Sequence, residues 1–261
     1  MKLRHLFTAF GFLTVGFVMT GSPATAFSFT TNFTATNTAS GQPDPTRDIL
    51  LDSVTLGNGS TLSQFSLVNS AQILHNDLWT GGNTGAASSE RGDRASGIAQ
   101  EVATNASVVA SLGNRNLNNI IDTEDSGAFK MNVFFESAVS SLFFWERGMN
   151  SDLSVQAIDQ SGNLIGSLFR INRNLWQSAG YGINSTEIND TQAVGSWGLG
   201  LGDLGVSGPI FGLQLSADAS SNGPDFKVAG SSAAVPEPTT MAGLALAGAG
   251  IAAARRRKAK A

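Results

Sequence analysis

Phe129-Lys130-Met131-Asn132-Val133-Phe134-Phe135 alternates in steps of two: Phe129, Met131, Val133 and Phe135 share one face, and Lys130, Asn132 and Phe134 share the other. That is the period of a half-buried β-strand, not of a helix. Leu142-Phe143-Phe144-Trp145-Glu146 follows after a short Ser-rich connection and is expected to pair back as a hairpin. The same period recurs outward in both directions. Leu153, Val155 and Ala157 alternate with Ser154 and Gln156, and Asp159-Gln160-Ser161-Gly162-Asn163 supplies a turn before Leu164 to Ile171. Further strands are expected at Gln192 to Leu201, Pro209 to Ser216 and Asp225 to Val228, and at the front over Phe27, Phe29 and Phe33. Ile49 to Leu56 and Leu62 to Val68 flank Gly57-Asn58-Gly59, where Asn-Gly is a strong hairpin signal. One helix is expected after Thr104 or Asn105, with Val108, Val109 and Leu112 as its apolar stripe and Gly113 as its end. Short strands separated by turns predict an all-β fold, a single antiparallel β-sandwich of jelly-roll-like form with one short helix. Ala39 to Thr46 and Trp79 to Gly97 read as long loops.

The body so defined runs from residue 27 to 230, and the ends outside it have a different character. Lys2 and Arg4 precede an apolar run from Leu6 to Met19, followed by small residues that include Ala24 and Ala26. This is the order of a secretory signal peptide over residues 1–26, cleaved after Ala26 by signal peptidase and exported by the general secretion machinery. Residues 231–235 read as a linker. Pro236-Glu237-Pro238 then precedes the uncharged stretch 239–254 and the basic tail 255–260, which includes Arg255, Arg256, Arg257 and Lys258. As a helix the uncharged stretch spans roughly 24 Å, slightly short of a hydrocarbon core of roughly 30 Å. A marginal apolar span with a basic stop suits a transient inner-membrane anchor. The two prolines keep the peptide before it extended and open to a protease or transpeptidase.

The tripartite tail from 236 to 261 resembles the PEP-CTERM sorting signal of exosortase substrates. That resemblance implies an exosortase as processing partner, cleavage near the motif, and delivery to the cell surface or the exopolysaccharide matrix. In the body, residues 117–125 and 143–150 resemble segments of a cyanobacterial family of exosortase-dependent surface proteins. That family has no established activity, so it implies location and no catalytic residue.

Composition narrows the function classes. The 261 residues include no cysteine and two histidines, His5 and His75, and only 14% are charged. Thiolate zinc sites, disulfide frameworks and cysteine nucleophiles are thereby excluded. The formal net charge of -4 is a composite. Setting aside Lys2, Arg4, the five basic tail residues and Glu237 leaves 9 basic and 19 acidic residues from Phe27 to Val235, a net charge of about -10. Such a body disfavours nucleic acid as a partner and leaves cations and neutral glycans open.

Candidate sites in the body are few. Asp122, Glu124 and Asp125 offer oxygen ligands to calcium, although read as an EF-hand the twelfth position falls on Val133 and the motif fails. No other cofactor is expected. Glu136 and Glu146, placed on a hairpin, lie roughly 17 Å apart, too far for a glycosidase pair, and Glu146 is expected to pair with Arg147. His75 has no accompanying Ser motif. Phe143, Phe144, Trp145, Trp176, Tyr181 and Trp197 are expected to fill the core, whereas Trp79 sits in a polar Gly-rich loop and is a candidate carbohydrate contact. The expectation is therefore a non-catalytic, exported surface or matrix protein associated with exopolysaccharide or biofilm. A carbohydrate-binding module, calcium-dependent or not, is the alternative, and a polysaccharide hydrolase or lyase is the more remote one.

Overall fold

The computed structural model describes residues 26–78, 88–90, 101–184 and 190–232. The signal peptide, Trp79, Pro236-Glu237-Pro238, the stretch 239–254 and the basic tail lie outside the described residues.

Strands β1 (Phe29–Ala35), β2 (Ile49–Leu56) and β3 (Thr61–Leu62) form a three-stranded sheet. A five-stranded sheet takes β4 (Val68–Asn76), β8 (Phe129–Val139), β10 (Leu153–Ile158), β11 (Leu164–Ile171) and β14 (Ile210–Ala217), in the order β11-β10-β14-β8-β4. The seven-stranded sheet contains β5 (Ser88–Glu90), β6 (Glu101–Val102), β7 (Ile120–Asp122), β9 (Ser141–Arg147), β12 (Gln177–Asn184), β13 (Thr191–Gly200) and β15 (Asp225–Ser231). Its order is β12-β13-β9-β15-β7-β5-β6. All these pairings are antiparallel.

The expected sandwich is formed by the five- and seven-stranded sheets, with a third, smaller sheet stacked beyond it. Met131, Val133, Leu153, Val155, Leu213 and Leu215 meet Leu142, Phe144, Phe226 and Val228 in one core. Phe29, Ile49, Leu51 and Val54 meet Phe143, Trp145, Tyr181 and Ala229 in a second core on the opposite face of the seven-stranded sheet. Strand β9 is therefore buried along its whole length, which explains why Leu142-Phe143-Phe144-Trp145 is apolar without alternation. The indole N–H of Trp145 donates to the Thr31 hydroxyl at 2.9 Å and ties β9 to β1. Gly198 is required here, since a Cβ on it would lie 2.3 Å from the Phe27 ring.

The expected hairpin between β8 and β9 does not form. β8 pairs with β14 and β4, whereas β9 pairs with β13 and β15, so residue 140 marks a corner between two sheets. Residues 62–68 are mostly irregular, and β4 runs instead to Asn76 with two bulges. The loop expected from Trp79 to Gly97 contains β5, paired to β6 and β7. The last strand extends to Ser231, the residue assigned from sequence to the linker.

Helix α1 (Asn105–Leu112) begins as expected. Thr104 accepts the Ser107 N–H at 3.1 Å, the Ser107 hydroxyl answers the Thr104 N–H at 2.8 Å, and Gly113 closes the last turn. Its buried face carries Val108 and Leu112.

Candidate functional site

Three chain segments converge where β7, β9 and β15 reach the same end of the seven-stranded sheet. The cleft between them has a volume of about 340 Å3 and is lined by Asp122, Glu124, Arg147, Asn150, Asn222 and Asp225 among others. Antiparallel register sets Arg147 opposite Asp225, and β7 lies beyond β15. The Arg147 guanidinium donates to Asp225 Oδ2 from Nε at 3.0 Å and from Nη2 at 2.7 Å, and Nη2 reaches Asp122 Oδ1 at 3.4 Å. Asp225 Oδ1 accepts the Thr123 N–H at 3.0 Å, and the Thr123 hydroxyl donates to the Pro224 carbonyl at 2.7 Å. The side chains of Arg147 and Asp122 are each 2% exposed, so this is a buried, hydrogen-bonded charge cluster.

The rim carries unusual backbone. Met149 and Asn222 adopt positive φ of 56° and 62°, the two non-glycine residues to do so among the described residues. Gly223 also has positive φ, and a Cβ there would meet the Thr123 carbonyl oxygen at 2.1 Å, so the 221–225 loop and the acidic turn approach as only glycine allows. The Ser151 hydroxyl donates to the Asn222 carbonyl, and the Trp176 indole N–H to the Ser151 carbonyl at 2.8 Å, which fixes the other wall.

The acidic turn expected to offer calcium ligands is thus present at the cleft, but its members are disposed differently. Asp122 and Glu124 are buried, Asp125 is exposed, and Asp122 is engaged by Arg147. Among the described residues, no group of three or more His, Asp or Glu side chains is arranged to hold a metal ion. Asp225 completes the arrangement. Nothing in its sequence context signals this role, because an acidic residue opening a strand is ordinarily solvated.

Glu146 does not pair with Arg147 as expected. Alternation sends it to the opposite face of β9, where it is fully buried. Burial pushes its carboxyl well above the usual range, and the Asp225 charge adds to this; the Met149 N–H, the Ser151 hydroxyl and Arg147 act the other way. Glu136 is exposed on β8 in the other sheet, so the hairpin ladder expected to set its separation from Glu146 does not exist. Because the folded-state value of Glu146 is raised, its contribution to stability is present in full below the ordinary 4.5 and is lost as pH rises through the raised value. Glu146→Gln, which copies the neutral form, is expected to flatten that part of the curve by about 1.4 kcal/mol per pKa unit of the shift. Urea unfolding of both proteins across this range checks it, and parallel curves would contradict it.

A second charge cluster braces the neighbouring loop. Asp152 accepts from Arg170 Nη2 at 2.8 Å and from the Arg173 backbone N–H at 2.6 Å. Desolvation raises the Asp152 carboxyl, but hydrogen bonds from Arg173 and Arg170 outweigh it and hold the value at about 2. His75 stands apart on β4, exposed, with Nε2 2.9 Å from Asp77 Oδ1. Phe143, Phe144, Trp145, Trp176 and Tyr181 are buried as expected, and Trp197 is partly so.

The cleft itself does not define a reaction, and the decisive similarity lies elsewhere in the chain. Residues 234–258 match the family model described as the PEP-CTERM protein-sorting motif. The chain carries a PEP-CTERM sorting motif. The motif indicates an exported surface protein targeted by an exosortase. No curated protein matches the chain, and no solved structure does. Among the described residues no helix is long and apolar enough to cross a membrane.

Proposed function

We propose that this chain is an exported, exosortase-processed protein of the cell surface or extracellular matrix, whose folded body has a structural or binding role and no catalytic activity. The observation that carries the reading is position. The PEP-CTERM match begins at residue 234, three residues after Ser231 closes the last buried strand. The last described strand of the body therefore closes before the signal starts. Lack of catalysis is supported by the absence of cysteine, by the exposed and remote His75, and by the Arg147 ion pairs that occupy carboxylates of the cleft. The likeness of residues 117–125 and 143–150 to cyanobacterial exosortase-dependent surface proteins supports the same location. Signal peptidase acts at Ala26 in this reading, and the basic residues Arg255 to Lys258 hold the tail on the cytoplasmic side until cleavage.

Changing Pro236-Glu237-Pro238 to three alanines tests it. The variant is expected to accumulate uncleaved in the membrane fraction while the wild-type chain reaches the surface. Equal processing of both on an immunoblot of fractionated cells would remove the sorting role.

A further inference from the structure

On the outer face of the five-stranded sheet, four amide side chains stand in one row across four adjacent strands. Gln156 of β10 is opposite Gln214 of β14, Gln214 is opposite Asn132 of β8, and Asn132 is opposite Gln72 of β4. Their sequence neighbours Val155, Leu213, Met131 and Ile73 turn into the core, which fixes the amides on the other side. With adjacent strands about 4.8 Å apart, the row extends about 14 Å.

The row is ordered without being used up. Gln214 Nε2 donates to Asn132 Oδ1 at 3.1 Å, and Gln156 Nε2 to the Gly166 carbonyl at 3.4 Å. Each glutamine retains an acceptor oxygen and a second N–H. The Gln72 side chain is exposed at the edge strand.

The flanking rows shape the surface. On one side Ser154, Ser216, Lys130 and His75 are in register. On the other are Ile158, Gly212, Phe134 and Ser70, of which Ile158 is fully buried and the Phe134 ring is half-buried. The turn at Gly162 packs on Asn132 and Phe134, and Asn132 is only 3% exposed, so the accessible amides of the row are Gln156, Gln214 and Gln72.

The chemistry selects the occupant. Paired donors and acceptors at fixed spacing match the hydroxyls of a sugar chain, each of which is both donor and acceptor. The amide row is uncharged, and the body's net charge of about -10 repels polyanions and anionic lipid. We propose that this face docks a neutral polysaccharide laid across β10, β14, β8 and β4, with Gln72, Gln156 and Gln214 holding sugar hydroxyls and Phe134 against a ring. The inference rests on the surface location proposed above and names the partner met there.

Affinity electrophoresis of the full-length chain in detergent tests it, with dextran, hydroxyethylcellulose or laminarin cast into the gel and alginate as the polyanion. At least one neutral polysaccharide is expected to retard the protein. Gln72→Ala with Gln214→Ala is expected to weaken that retardation about tenfold or more at unchanged thermal unfolding. Ser63→Ala, on the far side of the molecule, leaves it unchanged. No retardation by any neutral polysaccharide, equal retardation of wild type and double variant, or retardation by alginate alone overturns the proposal. Processing at the sorting motif is read separately: a wild-type chain that is processed but is retarded by no neutral polysaccharide sinks this inference and leaves the exosortase reading standing. Binding by a chain that is never processed does the reverse.

Discussion

Arg147→Ala is expected to lower the unfolding free energy by about 3–5 kcal/mol, enough to leave a domain of ordinary stability largely unfolded. The substitution removes the partner of Asp225 and Asp122 and leaves both carboxylates inside the protein, where Arg147 and Asp122 are each 2% exposed. A buried ion pair is weak support for stability when compared with an apolar replacement, but stranding one half of it is costly. Arg173→Ala supplies the contrast. Arg173 is 43% exposed at its contact with Asp152, so solvent screens that pair and its loss is expected to cost far less than the loss of Arg147. Urea unfolding of the two variants separates the cases, and equal effects would contradict the buried-cluster account.

Lys227→Met is the second large loss, about 3 kcal/mol or more. Lys227 lies on β15, is 1% exposed, and has no carboxylate partner among the described residues. Its ammonium donates instead to the Ser111 carbonyl at 2.7 Å, the Asn114 side-chain oxygen at 3.1 Å and the Asn119 carbonyl at 3.2 Å. Ser111 belongs to the last turn of α1, where orphan carbonyls and the helix dipole both favour a cation. Methionine fills the volume but leaves three buried acceptors without a donor. Burial also holds the Lys227 value well below 10.5. Between the depressed value and 10.5 the unfolded chain binds the extra proton, so the wild type gains stability as pH rises through that window. Lys227→Met is expected to lose that rise, as thermal melts across the alkaline range would report. A variant as stable as wild type would show that the three oxygens find other partners.

Most strands are legible in the sequence because their apolar residues alternate. β2, β10 and β11 fall where Ile49 to Leu56, Leu153 to Ala157 and Leu164 to Ile171 place them, and the capped helix begins at Thr104 as expected. The arrangement of the sheets is not legible. The Ser-rich connection between Phe135 and Leu142 has the length of a hairpin, yet it turns a corner, since nothing local distinguishes a chain that folds back from one that crosses to another sheet. β12 escapes the pattern because Gly180 and Gly182 interrupt it at a bulge.

The site is half legible for a related reason. Asp122 and Glu124 stand out as an acidic turn, but their burial follows from Arg147 and Asp225, which arrive from strands 25 and 103 residues away from Asp122 in sequence. Glu146 and Arg147 read as a neighbouring ion pair, whereas a two-residue period sends adjacent side chains of β9 to opposite faces. Nothing in the Asp225 to Val228 segment marks Lys227 as a buried position. It is buried because the third sheet, helix α1 and the 114–119 segment cover the face that a two-layer sandwich would leave open.

The central claim is that a folded β body is exported and then separated from the PEP-CTERM segment that follows it. The intact mass of the protein recovered from the cell surface measures this directly. The account predicts a species that begins at Phe27 and lacks the apolar stretch 239–254 and the basic tail, with any attached group adding to the mass. A species that retains residues 239–261, or still begins at Met1, would contradict it.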